Sequence, residues 1–202
     1  MRDFHVFIEQ QGEQIYVGKI TGSGSEDAIF TYAQEYLDNP SSCPISIHLP
    51  LQAQNFSAEE TSLFFEGLLP EGFTRKCVAG WIHADEYDYL TILAALGREC
   101  LGAIQIIEDG MDVPKAGYQK LTREDVCRLA KEGASEAAEL VTKAHLSLTG
   151  ASGKVGLYYK IDTNEWYLPI GAAPSTHIVK QSHVRLDGIV TNEQLCLQTA
   201  KN

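Results

Sequence analysis

The chain has 202 residues, of which 44% are hydrophobic and 21% are charged, which is enough for a globular protein with a substantial core. A net charge of −11 argues against direct nucleic-acid binding, which needs clustered Lys and Arg, although an acidic chain can still dock on a basic partner. Five scattered cysteines without a C-x-x-C pair argue against a disulfide framework and a zinc site. With no apolar signal core and no apolar run of membrane length, we expect a cytoplasmic protein without membrane contact.

The first half of the chain predicts a β-hairpin, a further strand and a helix. Residues 4–8 and 15–18 flank a Gln-Gln-Gly turn, which is typical of a hairpin. Alternating apolar residues predict a half-buried strand over residues 44–49. A capping box at residues 57–60 begins a helix that we expect to end near Pro70.

Two more helices and a strand are predicted before a change of pattern. The helices cover the region around residues 76–83 and residues 89–96, and Gly97 is the expected stop signal of the second. The apolar run at 101–107 predicts a strand. The stretch 108–119 is rich in turn residues, and we place a subdomain boundary there.

The second half of the chain begins with a helix and continues with strands and turns. Thr122 is expected to cap this helix, with Asp125 three residues on. The Ala- and Glu-rich stretch 133–144 fits either a helix or a loop. The chain is therefore expected to consist of three regions, at residues 1–108, 109–144 (a linker with connecting helices) and 145–202.

A glycine-containing turn between two predicted strands is the first candidate for chemistry. Gly150-x-x-Gly153-x-Val155 matches the second half of the kinase phosphate loop G-x-G-x-x-G-x-V. Glycines let the backbone amides approach phosphate oxygens closely. Leu148 stands where the first glycine of that pattern belongs, and the two remaining glycines also fit an ordinary turn.

A strand lysine is the second candidate. Residues 176–180 predict a strand that ends at Lys180. In phosphoryl transfer by protein kinases, a strand lysine holds the nucleotide phosphates and pairs with a helix glutamate. An exposed lysine at the end of any strand is the plain alternative.

A helix glutamate follows at a suitable distance. Residues 191–194 predict a capping box that opens a helix, in which Glu193 shares a face with Cys196, Leu197 and Ala200. We expect that face to pack on the sheet, where a carboxylate needs a partner, and Lys180 is the obvious one. An ordinary first-turn glutamate that interacts with the helix dipole is the alternative.

The ordered combination resembles HipA-family serine/threonine kinases, the toxins of bacterial toxin–antitoxin pairs. The resemblance is carried by SLTGASGK (147–154), WYLPIGAAPSTHIVK (166–180) and NEQLCLQTAK (192–201), and upstream by LPLQ (49–52), FFEGLLPEG (64–72) and LGRECLGAIQII (96–107). It implies an α+β fold, with an N-terminal β-hairpin and helical subdomain followed by an incomplete kinase-like N-lobe with an antiparallel sheet.

The same resemblance implies roles for individual residues. Nucleotide phosphates would be bound by Thr149, Gly150, Ala151, Ser152, Gly153, Lys154 and Lys180. Glu193 would orient Lys180, and Ser147 matches the autophosphorylation serine whose modification expels the loop and inactivates the kinase. The family usually carries glutamine at the position of Ser152 and a residue other than glycine next, so we expect a more mobile loop here.

The catalytic aspartate and the metal-binding asparagine and aspartate of the family lie downstream of the matched region. The chain therefore offers no candidate catalytic or metal-binding residue, and we expect an interrupted kinase domain that is inactive alone. ATP and Mg²⁺ are the cofactors implied for the complete protein. Whether this piece binds them is left open.

The implied function is transfer of the ATP γ-phosphate to a serine or threonine of a protein such as an aminoacyl-tRNA synthetase, which halts translation. A DNA-binding antitoxin of the HipB type would restrain it. The alternative is a non-catalytic, antitoxin-like module that inhibits a kinase partner, because the family's N-terminal subdomain can exist as a separate chain. The plainest alternative is a two-part α+β scaffold without a site.

Overall fold

The structure is a computed structural model of the chain. It describes residues 1–10, 13–97, 103–112, 115–132, 154–171, 173–180 and 188–201. These residues form two four-stranded antiparallel sheets with helices between and after the strands, which confirms the α+β class. None of the described helices is long and apolar enough to span a bilayer.

The first sheet has the strand order β3-β2-β1-β4. Its strands are β1 (Arg2–Gln10), β2 (Glu13–Gly22), β3 (Ile29–Tyr32) and β4 (Ile104–Glu108). The predicted hairpin is confirmed as the antiparallel pair of β1 and β2. The late strand β4 pairs with β1, which closes the N-terminal region around its helices.

The helices of this region are α1 (Gln34–Asp38), α2 (Ala58–Glu66), α3 (Gly72–Trp81) and α4 (Tyr89–Leu96). The predicted capping box is present at the start of α2, where Ser57 and Glu60 exchange hydrogen bonds. The helix α4 has the predicted bounds. The helix α2 ends four residues before Pro70, and α3 begins four residues earlier than predicted.

The second sheet has the strand order β5-β7-β6-β8. Its strands are β5 (Gly117–Lys120), β6 (Lys154–Lys160), β7 (Glu165–Ile170) and β8 (His177–Lys180), and the helices near them are α5 (Arg123–Glu132) and α6 (Ile189–Ala200). The sequence did not predict β5, which lies within the expected linker and pairs with β7. The predicted Thr122–Asp125 cap is present at the start of α5.

The core contains side chains from both sheets and from the helices. Phe4 and Val6 alternate with half-buried residues along β1, and both are fully buried, because every second side chain of a strand points to the same face. Phe30 on β3 stacks on Phe56 and meets Phe65 of α2 edge-on. Burying one such side chain stabilises the fold by about 1.5–3 kcal/mol. These aromatic contacts join the first sheet to its helices.

The predicted strand at residues 44–49 is wrong. The segment contains a single bridge and a turn. Alternation placed Ile45, Ile47 and Leu49 on one face, but Leu49 is fully buried whereas Ile47 is 87% exposed. The hydroxyl of Tyr32 bonds this segment in place of a neighbouring strand, accepting from the Ile45 amide at 3.0 Å and donating to the Leu49 carbonyl at 2.6 Å.

The predicted start and packing of the last helix are also corrected. The helix α6 begins at Ile189, directly after Gly188, whose φ of 78° turns the chain into the helix without a side-chain cap. Thr191 therefore lies inside the first turn. The face with Leu197 is exposed rather than packed on the sheet, and Leu197 is 61% accessible. The helix approaches β8 through Glu193, a polar contact that buries little apolar surface.

Asp88 stabilises the start of α4 and links it to Ser25 through hydrogen bonds. It caps α4 by accepting from the Thr91 amide, and it also accepts from the hydroxyls of Thr91 (2.5 Å) and Ser25 (2.8 Å). Asp88→Ala is expected to lower the free energy of unfolding by about 1–2 kcal/mol at pH 7, measured by urea denaturation. The exposed Asp162 is the control, and Asp162→Ala is expected to leave the urea midpoint unchanged.

The effect of Asp88 depends on pH. Burial raises the pKa of Asp88, but the hydrogen bonds from Thr91 and Ser25 outweigh it, so the pKa lies below its ordinary value. The contribution to stability is therefore present above the unfolded pKa of about 4 and is lost as the pH falls through the folded pKa. The difference between wild type and Asp88→Ala should shrink in acid. A pH-independent difference would contradict an ionised cap.

Candidate nucleotide-phosphate site

The predicted site residues fall into two groups. Lys154, Lys180 and Glu193 belong to the part of the chain that the structure describes. The others lie outside the described residues: Ser147, Thr149, Gly150, Ala151, Ser152 and Gly153. The geometry of the site therefore rests on the two lysines and the glutamate.

Lys154 and Lys180 face each other across the ladder between β6 and β8. They are direct partners in the antiparallel register, at the N-terminal end of β6. Directly opposed residues of an antiparallel pair lie on the same face of the sheet, about 4.5–5.5 Å apart at Cβ. Two ammonium groups so placed repel each other, and an anion bound between them would relieve that repulsion. The register thus brings two lysines together in an otherwise acidic chain.

Glu193 reaches this position from α6. The Lys180 Nζ donates a hydrogen bond to Glu193 Oε1, which joins the strand lysine to the helix glutamate as the sequence predicts. Both side chains are about two-fifths accessible, at 39% and 40%. A pair this exposed contributes only about 0–1 kcal/mol to folding.

The two faces of the second sheet differ in character. Val155, Leu157 and Val179 point into the core. Lys154 and Lys180, one residue away on each strand, lie on the opposite face because side chains alternate along a strand. Val155, which the phosphate-loop match includes, is 4% exposed and so lies on the side of the sheet away from the lysines.

Polar and aromatic side chains extend the lysine-bearing face of the sheet. Tyr118 and Tyr158 lie 4.5 Å apart between ring centroids, and Tyr167 is within 6.4 Å of both. The Lys120 ammonium and the Tyr167 hydroxyl both donate to Glu165, and the bond from Lys120 is the main reason why the pKa of Glu165 lies at about 2. The sequence did not predict this cluster because β5, which carries two of its members, was expected to be linker.

The described part of the chain contains no set of side chains that could hold a metal ion without other ligands. No group of three or more His, Cys, Asp or Glu side chains is arranged there to hold a metal ion. Glu193 is already bonded to Lys180. The described residues therefore do not form a Mg²⁺ site by themselves.

Comparison with known proteins identifies the family. Residues 11–107 match the family model of the HipA N-terminal domain. The chain belongs to the HipA family. Its relatives include the putative kinase Y4mE of Sinorhizobium fredii, with 31% identity over 193 residues that cover 91% of this chain and 45% of that protein. The serine/threonine-protein kinase toxin HipA of Shewanella oneidensis is 24% identical over 197 residues, covering 96% of this chain and 44% of the toxin.

Two further comparisons show how the length of this HipA-family chain relates to that of similar proteins. The solved complex of Shewanella oneidensis HipA, HipB and operator DNA contains a chain with the same fold, at a TM-score of 0.69 and 22% identity, over 97% of this chain and 44% of that one. The chain thus spans about half the length of these longer relatives. An uncharacterised Haemophilus influenzae protein is 29% identical over 112 residues, which are 54% of this chain but 98% of that protein.

Proposed function

We propose that this HipA-family chain is the N-terminal part of a serine/threonine protein kinase toxin. The complete kinase transfers the γ-phosphate of ATP to a protein hydroxyl, such as one of an aminoacyl-tRNA synthetase, and thereby halts translation. The observation that carries the proposal is the Lys180–Glu193 pair beside the N-terminal end of β6. A strand lysine held by a helix glutamate is a shared requirement of protein kinases.

The residues of the chain would act on the phosphates of ATP. Lys180 supplies a positive charge to the phosphate oxygens, and Glu193 keeps its ammonium group in one place. Lys154 adds a second positive charge from the facing strand. Residues 149–153 would contribute backbone amides, which glycines allow to approach an anion. Mg²⁺, when bound in the complete protein, would neutralise charge that develops on the phosphates.

Ser147 is proposed as a regulatory site of the same loop. A phosphoserine adds a charge of about −1.5 to −2 at neutral pH. Two residues before Thr149, that charge would compete with ATP for the positive position at Lys154 and Lys180. Phosphorylation of Ser147 would therefore displace the loop and stop the kinase.

The 202-residue chain alone is expected to transfer no phosphate. It has no candidate for the residues that position the hydroxyl and the metal, so the lysines alone cannot complete the reaction. The measurement is incubation with radiolabelled ATP and Mg²⁺, followed by mass spectrometry of the peptide that contains Ser147. The Shewanella oneidensis kinase toxin serves as the positive control. Label at Ser147 that disappears in Lys180→Met would show that the chain is a kinase by itself.

A partner is proposed with the kinase. The Shewanella oneidensis HipA of similar fold was solved in a complex with HipB and operator DNA. We propose a DNA-binding antitoxin of the HipB type as the partner that restrains the kinase. The acidic chain would then bind DNA only through that partner, in keeping with its net charge of −11.

A second candidate function is a non-catalytic module that binds and inhibits a kinase. It is supported by the Haemophilus influenzae relative, nearly all of which matches about half of this chain. The strands of the described N-terminal region also form a sheet among themselves, because β4 returns to pair with β1. Tight binding of the purified chain to a HipA kinase, with loss of that kinase's activity, would favour this candidate. Lys154 and Lys180 have no role in this second candidate function.

A further inference from the structure

An irregular segment of the N-terminal region is held in place by tyrosine hydroxyls. This display loop (residues 43–56) contains no helix and no strand of the sheets. Tyr32 bonds its middle, as described above, and the Tyr36 hydroxyl donates to the Cys43 carbonyl at 2.8 Å. At its far end, the Phe56 amide donates to the Phe30 carbonyl of β3 at 2.9 Å. Long loops fixed by the core in this way are usually functional.

The display loop presents an isoleucine to solvent. Ile47 is 87% exposed, at the turn that the Leu49 amide closes on the Ser46 carbonyl at 3.1 Å. Leu51, four residues later, is 39% exposed, whereas Leu49 between them is fully buried. Because the loop is already ordered, binding through Ile47 would lose little conformational entropy. A fixed apolar side chain of this kind suits the centre of a protein interface.

The stretch of sequence that contains the display loop is acidic. Between Lys19 and Arg75 the sequence contains no Lys or Arg and eight carboxylates, a formal charge of −8. The carboxylates are Glu26, Asp27, Glu35, Asp38, Glu59, Glu60, Glu66 and Glu71. Glu35 and Asp38 lie exposed on α1, the helix whose Tyr36 anchors the loop. Two exposed carboxylates therefore lie on the helix that anchors the start of the display loop.

The acidic charge indicates which kind of molecule binds the display loop. A second copy of the chain would bring the same eight carboxylates to the interface, and their repulsion opposes self-association. An anionic membrane surface or a nucleic acid is disfavoured for the same reason. We propose that the display loop docks on a basic protein, with Ile47 inserted in an apolar pocket rimmed by Lys and Arg. Resting on the function proposed above, we assign this surface to the DNA-binding, HipB-like antitoxin.

The experiment measures binding of the purified 202-residue chain to the purified HipB-like antitoxin by isothermal titration calorimetry. Ile47→Asp places a charge in the pocket and is expected to weaken binding about tenfold or more. The matched control is Ile161→Asp, because Ile161 is 79% exposed in the turn between β6 and β7. The control is expected to change the dissociation constant by less than about twofold. Both variants should keep the wild-type unfolding midpoint, since neither side chain is buried.

A second pair of variants tests the charge. Glu35→Gln is expected to weaken binding and to reduce its dependence on salt, because rim charges act through screened attraction. The control is Asp162→Asn, which removes an exposed carboxylate beside Ile161. Asp162→Asn should leave both the affinity and its dependence on salt unchanged.

The outcomes separate the two proposals. If wild type binds the antitoxin and Ile47→Asp binds equally well, the assigned surface is wrong and the partnership stands. If wild type shows no binding, both the partnership and the surface are overturned. A concentration-dependent dimer of the chain alone that Ile47→Asp abolishes would replace the antitoxin by a second copy.

Discussion

Gly18→Ala is expected to destabilise the folded chain by about 3 kcal/mol, at the upper end of the cost of overpacking. A Cβ added at Gly18 would lie 2.1 Å from the carbonyl oxygen of Thr31 and 2.9 Å from the Cα of Tyr32. Both are backbone atoms of β3, so no side chain can move aside. Relief requires that β3 separate from β2, where Gly18 and Tyr32 are paired.

Separation of β3 from β2 would also weaken contacts outside this strand pair. Tyr32 holds the display loop, and its neighbour Phe30 contacts three aromatic rings of the core. Urea denaturation followed by circular dichroism measures the effect. Gly24→Ala is the control, because a Cβ at Gly24 meets nothing within 4 Å. An unchanged urea midpoint for Gly18→Ala would show that β3 is not packed on β2 as described.

Lys180→Met in the complete kinase is expected to lower the rate of phosphoryl transfer by about two to three orders of magnitude. The substitution keeps the unbranched side chain but removes the charge that contacts the phosphates. The Lys180–Glu193 pair is exposed and contributes little to folding, so the unfolding midpoint should stay unchanged. Loss of activity without loss of stability distinguishes a functional lysine from a structural one.

The measurement is steady-state kinetics on the protein encoded by the reading frame that contains this chain. Lys160→Met is the matched control, since Lys160 is an exposed lysine at the other end of β6. Glu193→Gln should lower the rate less than Lys180→Met, because it frees the ammonium group without removing it. Equal activity of wild type and Lys180→Met would overturn the nucleotide site, whereas no activity in either protein would leave the non-catalytic module as the better proposal.

The sequence by itself determined the parts of the fold that depend on local signals. Side-chain caps defined the starts of α2 and α5, because Ser57 and Thr122 bond backbone amides within their own first turn. The alternation of β1 and β2 and the bounds of α4 likewise follow from residues close in sequence. The strand that ends at Lys180 and a helix containing Glu193 could also be predicted locally, and their side chains are in contact, although the helix begins earlier than predicted and its apolar face is exposed.

Only the tertiary structure decided which of these elements meet and which faces are covered. The strand β5 has a weak pattern and exists through its pairing with β7, whereas residues 44–49 have a strand pattern but no neighbouring strand to pair with. The opposition of Lys154 and Lys180 is a matter of register between β6 and β8. Such contacts join residues far apart in the chain, and their energy comes from packing and pairing that no local pattern encodes.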